Sequence, residues 1–167
     1  MLKNETKPTL PIKSRETLKS QYQSYYEYID ALEVNTDIHE TLPIEYSRIA
    51  KFTQRANKCT NGKRYTVAEI KDRVVRKNAK LYSLSVSVRF FDLGLVGALE
   101  VEGETLTLFC LSCCDLGREI EGKLLEFIAD KHQLHKITFE STSKNENIKS
   151  IFAQALPNAA LTNCEIA

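Results

Sequence analysis

The sequence changes period near residue 80, and that change constrains the fold more than any other feature. LYSLSVSVRFF sets Leu81, Ser83, Ser85, Ser87 and Arg89 opposite Tyr82, Leu84, Val86, Val88 and Phe90, the alternation of a half-buried strand. GLVGALEVEG and GETLTLFCLSC follow as two further strands, joined at Glu102 and Gly103 by a link compact enough for an antiparallel hairpin. Three strands in succession predict a meander, so a sheet forms the centre and helices must cover it.

Helical spacing precedes the meander. SRETLKSQYQSYYEYIDALE repeats Leu18, Tyr22, Tyr25, Tyr26, Ile29 and Leu32 on one face, which predicts a helix from residue 14 onward. A polar link ends at Pro43, and a second helix is expected through Ile44, Ile49, Phe52 and Ala56, stopped by the turn signal of Asn61 and Gly62. Thr66, with Glu69 three residues on, forms a capping box for a third helix, TVAEIKDRVVRKN. Beyond the meander, GREIEGKLLEFIADKHQ reads as a helix burying Ile120, Leu124, Leu125, Phe127 and Ile128. HKITFEST then reads as a strand, NENIKSIFAQAL as a helix and ALTNCEI as a last strand. Residues 1–13, with Pro8 and Pro11, are expected to form a flexible arm. Residues 14–167 are expected to form one α/β (α+β) domain, a mixed central sheet flanked by helices.

Charge and cysteine usage exclude several functions. Twenty-three basic residues against 22 acidic ones leave a net charge of +1, so no overall field draws nucleic acid or an anionic membrane. Any anion site must be local. No apolar run approaches the roughly 20 residues needed to span a bilayer, and MLKNETKPTLPIK lacks the apolar core of a signal peptide, so a cytoplasmic location is expected. No second ligand pair follows Cys110, Cys113 and Cys114, which argues against zinc, and no tightly bound cofactor or metal is expected. His39, His132 and His135 have no triad-like setting.

LSCCDLGREIEGKLL, residues 111–125, leads the last meander strand through Gly117 into a helix. The unpaired N–H groups of a first helical turn and the helix dipole favour phosphate. Gly117 would let a ligand approach the backbone, and Arg118 would add charge-assisted hydrogen bonds. An ordinary corner with a solvated arginine accounts for the same residues.

The order of elements resembles the GNAT-like acyl-CoA N-acyltransferase fold, in which N-terminal helices precede an antiparallel meander. The resemblance implies that the turn after the third meander strand cradles the pyrophosphate and pantetheine of acyl-CoA. Of that turn's six-position pattern, set here on Cys114, Asp115, Leu116, Gly117, Arg118 and Glu119, the central glycine is kept. Asn145, Ile148, Ile151 and Phe152 fit a second signature, with Phe152 where a tyrosine often serves as general acid.

Four separated stretches narrow the likeness. RIAKFTQRANK, RYTVAEI, RFFDLGLVGALEV and LSCCDLGREIE, followed by TSKN, resemble the C-terminal domain of the FkbH-like proteins, haloacid-dehalogenase (HAD) superfamily subfamily IIIC. Arg48, Gln54, Asn57, Asp92, Gly94, Gly97, Glu121 and Asn145 are among the matching positions. In that family a phosphatase-like domain loads a glyceryl unit onto an acyl carrier protein, and an acyltransferase-like domain follows it. The chain carries no Asp-x-Asp phosphatase signature, so it resembles either the trailing domain alone or a stand-alone relative.

The resemblance implies a phosphopantetheine thioester, from CoA or an acyl carrier protein, bound at Ser112, Cys113, Leu116, Gly117, Arg118 and Asn145. For catalysis, Glu100 or Glu102 would act as base, with the backbone N–H groups of Ser112 and Cys113 polarising the carbonyl. Cys113, beside a helix N-terminus, would be the candidate nucleophile. Two functions follow: an acyltransferase-like domain that assists acyl or glyceryl transfer, or a non-catalytic docking module for a carrier protein or a HAD-type phosphatase-like partner domain.

Overall fold

The computed structural model describes residues 33–89, 91–112 and 118–163. The first expected helix and the turn at Gly117 lie outside them, as do Cys113, Leu116 and Cys164. The chain divides into two compact units, Met1–Asp37 with Ser85–Leu95 and Ile38–Leu84 with Val96–Ala167. In the smaller unit, Asp92 Oδ1 accepts a hydrogen bond of 2.7 Å from Gly94 N, a local turn.

The described elements are β1 (Asn35–Glu40), α1 (Tyr46–Arg55), α2 (Val67–Val74), β2 (Ala79–Val88), β3 (Phe91–Glu102) and β4 (Thr105–Leu111). Then follow α3 (Arg118–Lys131), β5 (Lys136–Phe139), α4 (Ile148–Ala155) and β6 (Ala160–Asn163). Their sheet runs in the order β1 to β6. β3 and β4 pair antiparallel, as the meander predicted, whereas β4–β5 and β5–β6 are parallel, which makes the sheet mixed. Gly103, at φ +60°, turns the β3–β4 hairpin in a conformation that favours glycine.

The larger unit holds a continuous apolar core. Leu84, Leu99, Leu106, Leu108, Phe109, Leu124, Leu125, Phe139 and Phe152 are all buried. The Phe152 ring of α4 meets Phe109 of β4 and Phe139 of β5 edge-on, at 5.3 and 6.4 Å between centroids. Tyr82 of β2 meets Phe127 of α3 in the same way. The Thr66–Glu69 capping box forms as the sequence predicted.

Two expectations are corrected. The polar link before Pro43 contains strand β1, whose side chains are all exposed or half-exposed, so its sequence has no apolar face to betray it. Hydrogen bonding anchors the chain beyond it, through Thr41 N to Leu81 O at 2.9 Å. Ser83, expected on a solvated face, is fully buried because its hydroxyl donates to Glu45 Oε2 at 2.8 Å and pairs with Thr41. The last helix takes Asn147 as its N-cap, without a side-chain cap bond, and the Asn145 amide is used elsewhere.

The most informative departure concerns Asn61, which the sequence presented as part of a turn. Parallel pairing of β4 with β5 covers only Thr105 with Lys136 and Leu106 with Ile137. Beyond those residues, the segment 59–61 inserts between the two strands. Asn61 N donates to Phe109 O, Leu111 N to Cys59 O and Glu140 N to Asn61 O, at 2.9, 2.9 and 2.8 Å. The Asn61 side chain closes the apex: Nδ2 donates to Thr107 O and Thr138 O, both at 2.9 Å, and Oδ1 accepts from Phe109 N at 3.0 Å. Gly62 follows at φ +88°, where an added Cβ would overlap the Glu140 carbonyl. We expect Asn61→Ala, which orphans these buried backbone groups, to lower unfolding free energy by about 3 kcal/mol or more. A urea-denaturation loss under about 1 kcal/mol would contradict the bridging role.

Candidate functional site

The two acidic candidates sit in a saturated cluster. Glu100 lies on β3 beside a register shift and is fully buried. Arg73 of α2 clamps it, Nε to Oε2 at 2.9 Å and Nη2 to Oε1 at 2.8 Å. Tyr65 and Thr107 hydroxyls donate to Oε1 at 2.8 and 2.6 Å. Burial alone raises the Glu100 pKa, but the bonds from Arg73, Thr107 and Tyr65 outweigh it and hold the carboxyl below its ordinary value. Burial, and then the Glu100 charge, push Tyr65 up, and the Glu100 hydrogen bond pushes Arg73 up. Glu102 accepts from Arg73 at 2.5 Å and lies 3.6 Å from Arg76. In this arrangement both carboxylates are engaged by arginine, which opposes proton abstraction by either.

A second concentration of charge lies on α1. Arg48, Lys51 and Arg55 recur at helical spacing on one face, and with Lys58 they line a groove of about 770 Å³ whose floor includes Leu111 and Ser112. No carboxylate is among its lining residues, and none of the four cations forms an ion pair among the described residues. Arg48 lies over the Phe52 ring, 5.5 Å from its centroid, which holds the guanidinium without neutralising it. Ile44, 89% exposed, adds an apolar contact to the same groove. The helix ends at Arg55, so Asn57 lies beyond it and joins Arg48 in the groove, although nine positions on a continuous helix would have set them on opposite sides. Gln54 instead donates to Tyr65 O at 3.2 Å.

Of the pantetheine candidates, Ser112, Asn145 and the backbone of Arg118 are among the described residues. Ser112 is exposed in the groove, but its N–H donates to Val96 O at 2.7 Å and is therefore spent on the sheet. Arg118 opens α3, while Cys113, Leu116 and Gly117 are outside the described residues. Asn145 is fully buried: Nδ2 donates to Glu140 O at 2.8 Å and Thr60 O at 3.3 Å, and Oδ1 accepts from Thr142 N at 2.7 Å. Both amide protons are consumed by backbone, so Asn145 shapes the loop rather than presenting a donor.

The remaining candidates are internal. Burial pushes the Cys110 thiol up to about 12, which leaves it unreactive near neutral pH. Cys59 donates to Glu121 Oε1 at 3.0 Å, and the buried Glu121 Oε2 has no partner among the described residues. His132 meets the Tyr82 hydroxyl at 2.9 Å, and burial with nearby Lys131 keeps its imidazole below the ordinary range. Among the described residues no three His, Cys, Asp or Glu side chains gather as metal ligands, and no helix is long and apolar enough to cross a membrane.

The groove is not evident from composition. Its signal was present as Arg48, Lys51 and Arg55 on one helical face, masked by an overall charge of +1. No protein-family model, curated protein or solved structure matches the chain.

The buried ion pair generates a pH prediction. A carboxyl depressed by folding adds stability above its unfolded value of 4.5, and that stability is lost as pH falls through the folded value. Arg73→Met should cost about 3–5 kcal/mol at pH 7 by stranding Glu100. Chemical denaturation across pH should show the deficit shrinking below pH 4.5, as Glu100 becomes protonated. A deficit independent of pH would contradict the assigned pairing.

Proposed function

We propose that this chain is a docking module with a GNAT-like, acyltransferase-type fold, related to the trailing domain of the FkbH-like proteins, which captures a phosphopantetheine-bearing acyl carrier protein. The observation that carries this reading is the groove along α1, with four cations and no lining carboxylate among the described residues. An acidic partner surface and an arm attached through a phosphodiester complement that groove, and exposed Ile44 supplies an apolar anchor.

Three features favour docking over turnover. Glu100 and Glu102 are committed to arginines. Phe152, at the position of a potential acid, is packed between Phe109 and Phe139 and has no proton to give. The opening between β4 and β5, where an extended arm would find unpaired backbone, is filled by residues 59–61. These features favour an arm lying across the groove at the end of β4, and the chemistry belongs to the partner.

Calorimetric titration with a phosphopantetheinylated carrier protein tests this function. Binding should weaken as salt rises. Lys51→Glu combined with Arg55→Glu should weaken it by about tenfold or more, equivalent to at least ~1.4 kcal/mol. Undiminished binding in that variant, or consumption of an acylated carrier by this chain alone, would overturn the reading.

A further inference from the structure

A smaller pocket adjoins the groove, sharing Ala56 and Asn57 with it, and differs from it in chemistry. It encloses about 210 Å³ and is lined by Asn57, Thr60, Arg64, Thr142, Ser143 and Lys144 together with Ala56 and Gly62. No carboxylate is among the lining residues that the structure describes. The side chains come from two distant stretches, the one following α1 and the loop after β5, which residues 59–61 and Asn145 bring together.

The hydrogen-bond roles are unusually one-sided. Thr142 Oγ1 accepts from the N–H groups of Lys144 and Asn145, both at 3.3 Å, so its lone pairs are occupied and its proton remains to be donated. Thr60 Oγ1, at 3% exposure, accepts from Gly62 N at 3.0 Å and keeps its proton in the same way. Arg64 spends Nη1 on Gln54 O at 3.0 Å, and its other guanidinium donors are uncommitted among the described residues. Lys144 forms no ion pair among those residues. Two cations and at least two donor hydroxyls thus face a space with no anionic side chain.

We propose that this pocket is an oxyanion site for a phosphate monoester. A phosphate monoester offers three terminal oxygens and close to two negative charges near neutral pH, enough to engage both cations and the hydroxyls together. The volume falls below the ~300 Å³ at the lower end of ordinary organic-ligand sites, which selects a small phosphorylated molecule over a nucleotide. Asn145 is the positioning residue: its buried amide bonds Thr60 O on one wall and Thr142 N on the other, fixing the pocket before any ligand arrives. The site stands independently of the carrier-docking reading, since it uses none of the groove cations.

Amide-resolved NMR titration of the full chain tests it, with inorganic phosphate, phosphoethanolamine, dimethyl phosphate and acetate as probes. Phosphate and phosphoethanolamine should produce saturable shifts at Thr60, Gly62, Ser143 and Lys144, with Kd in the millimolar range. The singly charged diester and acetate should bind at least about tenfold more weakly. Arg64→Ala with Lys144→Ala, both exposed positions, should abolish saturation, and Thr142→Val should weaken it. Lys51→Glu, which disables only the groove, should leave phosphate binding unchanged. Absence of saturable shifts at these amides, shifts that persist in the Arg64→Ala/Lys144→Ala protein, or equal binding of the diester would overturn the assignment.

Discussion

The bridge made by Asn61 is the constraint on which the rest of the larger unit depends. Parallel strands that pair at one end and then part leave backbone donors and acceptors facing each other with nothing between them. One amide side chain satisfies Thr107 O, Thr138 O and Phe109 N together, while its own backbone bonds Phe109 O and Glu140 N. The cost of burying that polarity unpaired would be several kcal/mol. The same insertion brings Thr60 opposite Cys110 and places Lys58 beside the last residues of β4, so both the groove and the smaller pocket owe their walls to it.

Charge is handled in two opposite ways within this unit. On β3 and α2, Glu100 is buried and takes four hydrogen bonds from Arg73, Tyr65 and Thr107, an arrangement that specifies how α2 docks but withdraws the carboxylate from chemistry. On α1, the cations stay hydrated and unneutralised around an exposed isoleucine. A solvated cationic face offers little to stability and much to association, because its field remains available to a partner. That contrast is the physical basis of the proposed docking role.

How much was legible in the sequence follows from the range of each interaction. The antiparallel β3–β4 hairpin at Glu102–Gly103 and the Thr66 capping box are written in neighbouring residues, and both appear. β1 was invisible because an edge strand with both faces half-wet has no period to detect. Asn61 and Gly62 do mark a turn, but the partners of Asn61 lie 46 and 77 residues away, which no local pattern encodes. Glu100 looked like an available acid since alternation tells which face a residue takes, not that Arg73, Tyr65 and Thr107 will converge on it. Asn145 was singled out for a ligand and is instead taken up by Glu140 and Thr142, its neighbours across the loop, and by distant Thr60.

The measurement that tests the central claim most directly is amide-resolved NMR mapping of the chain against a phosphopantetheinylated carrier protein. The account predicts perturbations along α1, at Asn57, Lys58 and Ser112, while Asn61, Phe109, Leu111 and Glu140 keep both their shifts and their protection from hydrogen exchange. Perturbation and loss of protection at those four residues, with α1 silent, would mean that the arm displaces residues 59–61 and enters the sheet, and would contradict it.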